Sequence, residues 1–149
     1  MGGKAGRPVW FVFSGMGSQW PGMARGLLQI PAFAATIDRC HTVLETKGLD
    51  LKRILTHPEA GIFDNILHSF VGIAAVQVGL INIMRLLGVE PDGFIGHSVG
   101  EQACAYMDGC IDEEQTMLAA YSRGMASREA PLIKGMMASV GKSTIIEHI

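Results

Sequence analysis

The stretch GFIGHSVGE, Gly93 to Glu101, decides the fold. An apolar approach, Gly93 to Ile95, runs directly into a serine with glycine two residues away on each side, Gly96 and Gly100. This G-x-S-x-G pattern is the signature of a nucleophile elbow, a sharp strand-to-helix turn that exposes a serine hydroxyl above a sheet. A Cβ at either glycine would crowd the point where strand and helix approach each other. The spacing therefore predicts a strand over Gly93 to His97, a turn at Ser98 and a helix from Val99 to about Asp108. The first amides of that helix, at the positive end of its dipole, suit an oxyanion forming on a group that Ser98 attacks. The pentapeptide also arises by chance in many proteins, so its context has to carry the reading.

On either side of the elbow, strand and helix patterns alternate. Pro8 to Phe13 (PVWFVF) is a short β-rich run that suits a buried parallel strand. Helical patterns cover Gln19 to Gln29, broken by Pro21 and Gly22, and Ala32 to Lys47, closed by Gly48. Leu51 to Leu55 adds one or two turns, and Asp64 to Leu87 is a long core helix, in one piece or two, ended by Gly88. Asp112 reads as an N-cap, with Gln115 completing a capping box for a helix to about Glu129, which Pro131 breaks. Gly135 to Val140 (GMMASV) reads as a third strand, and Ser143 caps a last helix. The pattern is α/β, and on such sheets ligands sit at the carboxyl ends of the strands. The loop after the first strand, Ser14 to Trp20 (SGMGSQW), lies at such an end. It lacks the Lys-Ser/Thr of a P-loop and the third glycine of a dinucleotide fingerprint. Beside Ser98 it makes better sense as the second half of an oxyanion hole, with Gln19 supporting the loop and the Val99 N–H as the other donor.

Composition narrows the function classes. A chain of 149 residues, 48% hydrophobic and 17% charged, holds one core of ordinary size and reads as a single unit. A net charge of -2 with scattered signs gives no basic stripe, which argues against a nucleic-acid partner. Phe70 to Val89 is apolar for about the length that spans a bilayer, yet Gln77, Asn82 and Arg85 interrupt it. Those groups are costly in hydrocarbon, whereas a buried helix can turn them toward a rim or a partner, so no membrane span is expected. Cys40, Cys104 and Cys110 are odd in number and lack C-x-x-C spacing, which predicts reduced thiols in a cytoplasmic protein and no metal site.

Four blocks in order resemble the acyltransferase domains of fatty acid and polyketide synthases: FSGMGSQW, GHSVGE, AAYSRG at Ala119 to Gly124, and GMMASVG at Gly135 to Gly141. DNILHSF from Asp64 and PDGFIGHSVGE from Pro91 look most like the malonyl/acetyl transferase of animal type I fatty acid synthase, with a polyketide synthase second. The resemblance implies an α/β-hydrolase-like large subdomain of the acyl carrier protein transacylase fold, incomplete, with the ferredoxin-like small subdomain essentially missing. Residues 1–149 would then be the N-terminal part of such a domain. It implies that Ser98 takes an acyl group from malonyl-CoA or acetyl-CoA and passes it to the phosphopantetheine thiol of an acyl carrier protein, in fatty acid biosynthesis. The partners implied are that carrier and the remaining domains of a megasynthase; no cofactor is implied beyond the CoA thioester substrates. Arg123 matches the arginine that pairs with the free carboxylate of malonyl. Met16 and Phe70 match residues lining the acyl pocket, and His97 belongs to the family signature, expected to point away from the serine hydroxyl.

One departure stands out. The family's general-base histidine lies downstream of the portion matched, and none of His41, His57, His68, His97 and His148 corresponds to it. A serine without its base loses several orders of magnitude in rate, because such residues act as a unit. Three readings stay open: a transferase fragment that is weakly active or inactive alone, a serine hydrolase with its own local histidine, and a non-catalytic remnant that binds a partner or CoA. Ser122 in place of the aromatic often found before the arginine is a smaller deviation, bearing on pocket packing.

Overall fold

The structure, a computed structural model, describes residues 7–131. Strand β1 (Trp10–Phe13) is followed by helices α1 (Pro31–Glu45), α2 (Leu51–Thr56) and α3 (Ile66–Leu86). Strand β2 (Gly93–Gly96) then leads into α4 (Gly100–Asp108) and α5 (Glu113–Glu129). The strands run parallel, with Phe11 opposite Phe94 and Phe13 opposite Gly96. Asp92 sets that register from the start: its carboxylate accepts the Val9 N–H at 2.7 Å, and its own N–H donates to the Val9 carbonyl at 2.8 Å.

The alternation of strand residues divides the sheet into two faces. Phe11, Phe13 and Phe94 pack with Ile81 of α3 and with Ala103, Cys104 and Met107 of α4. Trp10, Val12 and Ile95 point the other way and are 58%, 70% and 57% exposed. The expectation of a strand buried on both faces is therefore corrected: among the described residues, helices pack on one face of the sheet.

Helix α3 is the axis of the core. It is unbroken and starts on an N-cap at Asn65, whose side chain accepts the Leu67 N–H. Leu67, Val71, Ala74, Ala75 and Val78 are buried against α1, α2 and α5. Although α3 is long and apolar enough to cross a bilayer, its most apolar 18-residue stretch is 67% buried within the protein. Its three polar interruptions all find partners. The Gln77 amide donates to the Ser14 carbonyl at 2.7 Å. Asn82 donates to Thr36 Oγ1 and Glu113 and accepts from the Tyr106 hydroxyl. Arg85 lies over the Tyr106 ring, 4.9 Å from its centroid, and donates to the carbonyls of Tyr106 and Met107. Glu113, held by a two-pronged pair with Arg39 at 2.8 and 2.9 Å, ties α1 to α5 through the same cluster.

The helix expected over Gln19 to Gln29 does not form. Turns occupy Pro21 to Gly26 and a short 3-10 helix covers Leu27–Gln29. Gly22 sits at φ +75, in the left-handed region, just after a proline that cannot donate a helical bond. The strand read over Gly135 to Val140, the cap at Ser143 and His148 lie outside the described residues.

Cys40 is fully buried, and burial pushes its thiol up to about 12. Only the thiolate reacts with alkylating agents. Cys40 should stay unlabelled by iodoacetamide at pH 8 in the folded protein and become labelled in denaturant, as read by peptide mass mapping. The capping box at α5 is formed: Asp112 Oδ1 accepts the Gln115 N–H at 2.7 Å and Gln115 Oε1 accepts the Asp112 N–H at 2.9 Å. Asp112→Ala should cost about 1 kcal/mol in chemical denaturation, whereas Asp112→Asn, which keeps an acceptor, should cost much less.

Candidate active site

The carboxyl ends of the two strands lie side by side, so the loop after β1 and the turn after β2 meet. The His97 N–H donates to the Phe13 carbonyl at 3.0 Å and continues the ladder one residue beyond the sheet. The chain then reverses at Ser98, whose φ of 57 is the one positive value at a non-glycine residue among the described residues. That left-handed conformation costs an ordinary side chain about 1–3 kcal/mol and persists only where its surroundings enforce it. The enforcing contacts are steric. A Cβ on Gly96 would collide with the backbone of Gly100, and one on Gly100 would collide with the carbonyl of Phe13. Both glycines thus let α4 start directly on the sheet, with Ser98 half-buried at its N-terminus. Val99 is buried next to it. The amides of Gly100, Glu101 and Gln102 turn back to His97, Ser98 and Val99. No bond takes up the Val99 N–H among the described residues.

The loop after β1 presses on the same turn. A Cβ on Gly15 would lie 2.8 Å from the His97 carbonyl and 2.9 Å from Ser98 Cβ. Within the loop, the Gln19 side chain accepts the Gly17 N–H at 2.8 Å, and the Ser18 hydroxyl donates to the Gly15 carbonyl at 2.8 Å. Two residues of α3 reach it from below. Ser69 accepts from the Gln19 amide at 3.4 Å, and Gln77 donates to the Ser14 carbonyl at 2.7 Å. Ser69 lies within the DNILHSF block, whereas Gln77 belongs to no motif. A lone glutamine among Val76, Val78 and Leu80 was the available signal.

Helix α5 brings Arg123 to the elbow. Its Nη1 donates to the Ser98 carbonyl at 3.3 Å, and its guanidinium lies 5.5 Å from the centroid of the Phe70 ring. This placement depends on a close crossing of α3 and α5, because a Cβ on Gly124 would meet Leu67 Cα at 3.0 Å and Leu67 Cδ1 at 2.7 Å. Ser98, Val99, Arg123 and Phe70 are therefore brought together, with Gln19 bracing the neighbouring loop. Met16 and His97 line a different surface, an open cavity of about 660 Å³ beside the sheet ends that includes Gly15, Gly17 and Ile95. Phe70 does not line it. Among the described residues, no group of three or more His, Cys, Asp or Glu is placed to hold a metal ion.

A family model described as the acyl transferase domain matches residues 10–149. The chain belongs to this acyl transferase domain family. It is 37% identical over 144 residues to a highly reducing polyketide synthase, tstA, of Talaromyces stipitatus, covering 92% of this chain and 6% of that protein. Among solved structures, the acyltransferase domain of the polyketide synthase PpsC of Mycobacterium tuberculosis superposes with a TM-score of 0.70 at 35% identity. That match covers 80% of this chain and 36% of the other. The malonyl CoA-acyl carrier protein transacylase of Coxiella burnetii gives a TM-score of 0.74 at 28% identity, covering 83% and 40%. The acyl transferase chain thus spans a small part of the synthase and well under half of each solved structure, and its described residues form an incomplete α/β unit of the transacylase fold.

If the elbow stores strain at Ser98, relieving it should stabilise this acyl transferase chain. Ser98→Gly should raise stability by roughly 1 kcal/mol, after allowing for the added freedom of the unfolded chain, while Ser98→Val should lower it. Thermal unfolding of the two variants beside the parent checks both signs.

Proposed function

We propose that this chain is the N-terminal part, residues 1–149, of an acyltransferase domain that moves malonyl or acetyl groups from CoA to an acyl carrier protein. The described residues would be its α/β-hydrolase-like large subdomain, with the ferredoxin-like subdomain lying beyond them. The observation that carries this reading is one juxtaposition: a strained serine at a helix N-terminus with a guanidinium 3.3 Å from its own carbonyl.

In this reading Ser98 Oγ attacks the thioester carbonyl and loses its proton to a general base, a histidine in the downstream part of the domain. The carbonyl oxygen becomes an oxyanion, stabilised by the Val99 N–H and by an amide of the Ser14–Gln19 loop. The tetrahedral intermediate collapses, the C–S bond breaks, and CoA leaves as a thiol carrying the transferred proton. The resulting Ser98 ester is attacked by the phosphopantetheine thiol of the carrier, and the same steps run in reverse. The substrates bring the thioester chemistry, so the reaction calls for no further cofactor. Arg123 would take the free carboxylate of malonyl in two charge-assisted bonds, exchanging its single hold on the Ser98 carbonyl for a better partner. Phe70, beneath that guanidinium, would bound the acyl group, whereas Met16 and His97 line the neighbouring cavity. Use of CoA thioesters together with free thiols fits a cytoplasmic protein.

Two settings suit the same chemistry. The blocks DNILHSF and PDGFIGHSVGE favour a fatty acid synthase, and the 37% identity to the Talaromyces polyketide synthase favours a polyketide one. In either, the remaining domains of the synthase are the partners of this one.

The roles proposed for Arg123 and Ser98 separate in kinetics on the intact protein. Arg123→Ala should lower kcat/KM for malonyl-CoA about 10- to 100-fold, the worth of one or two charge-assisted bonds, and leave acetyl-CoA within about threefold. An equal loss for both substrates would contradict the carboxylate role.

A further inference from the structure

Helix α3 places a glutamine where an apolar helix has no packing use for one. Gln77 sits in a groove of about 380 Å³ whose lining includes Trp10, Phe11, Ile73, Val76, Leu80 and Ile81. Its Nε2 makes one short bond, 2.7 Å to the Ser14 carbonyl. Its Oε1 is buried and has no hydrogen-bond partner among the described residues. A buried amide oxygen left unpaired costs at least as much as one neutral hydrogen bond returns. For stability alone a methionine or leucine would serve better at this site.

The bond's address explains the glutamine. Ser14 is the first residue after β1, and Gly15, next to it, packs closely on the elbow at His97 and Ser98. Holding the Ser14 carbonyl fixes the plane of the Ser14–Gly15 peptide, and through it the approach of the loop to Ser98. The loop has a second tie to the same helix through Gln19 and Ser69, whose hydroxyl is anchored on the Phe63 carbonyl at 3.0 Å. Gln77 lies seven residues beyond Phe70, so the two share one stripe of α3. A single rigid helix then supports both the ring beneath Arg123 and the loop across from it.

We propose that Gln77 is a positioning residue for acyl transfer, holding the Ser14–Gln19 loop so that its amides face the oxyanion that forms beside Ser98. This rests on the acyl-transfer reading above. Donors displaced by even an ångström lose much of their effect on a transition state, whereas ground-state substrate binding is less demanding. The effect should therefore fall on kcat.

The test is single-turnover acylation of Ser98 by malonyl-CoA in the intact protein, comparing the parent with Gln77→Met and Gln77→Glu. Methionine keeps the volume without a donor; glutamate keeps the shape with acceptors alone. Both should slow acylation roughly 10- to 100-fold with KM for malonyl-CoA within about twofold. Gln77→Met, freed of the orphan oxygen, should melt no lower than the parent. Parent-like acylation in both variants would overturn the positioning role, as would a loss that merely tracks a lowered folded fraction or a raised KM. If the parent itself forms no Ser98 ester, the acyl-transfer reading falls and this proposal with it.

Discussion

Everything at the candidate site depends on one close packing of backbone on backbone. The start of α4 lies against the carbonyl of Phe13 so tightly that a single added carbon at Gly100 has no room. With α4 seated there, the three residues between β2 and the helix, His97, Ser98 and Val99, must make a reversal too sharp for right-handed backbone throughout. Ser98 takes the left-handed conformation at φ 57 as a result. The strain is held by a sheet, a helix and a loop that all meet at the same place, and it leaves the serine at the positive end of a helix dipole. The parallel register set by Asp92 and Val9 is part of the same constraint, because it brings the end of β1 level with the end of β2.

Much of this was legible in the residues. The glycine-serine-glycine spacing carried the elbow, since each residue type answers a local steric demand that no distant contact can relieve. The capping box at Asp112 and Gln115 was equally plain, being a bond between residues three apart. The segment after the first strand was less so. Gln19 to Gln29 has helical composition, but Pro21 removes a donor and Gly22 adopts a left-handed conformation, so local turn chemistry overrode propensity. The exposed face of β1 was misread because Trp10 and Val12 look like core residues, and burial depends on what packs against a strand rather than on its own sequence. The geometry around Arg123 was hidden for a related reason. Its distance from Ser98 is fixed by the crossing of α3 and α5 at Leu67 and Gly124, a contact between segments 57 residues apart.

Helix α3 carries two kinds of information at once. Its apolar residues fill the core, and its polar exceptions each mark a contact with another element: Asn82 and Arg85 with the cluster that joins α1, α4 and α5, and Gln77 with the loop beside Ser98. In sequence these three residues look like interruptions of a hydrophobic run. In the fold they are where the core helix meets polar backbone and side chains of other elements. Of the three, Gln77 alone leads to the candidate site.

The proposed role of Ser98 is that of the nucleophile that carries the acyl group. The most direct measurement is mass spectrometry of the intact protein after brief incubation with malonyl-CoA and rapid acid quench, followed by peptide mapping. One malonyl adduct is expected, located on the peptide containing Ser98 and absent from Ser98→Ala. An adduct elsewhere, or none on a protein that is folded and complete, would contradict it.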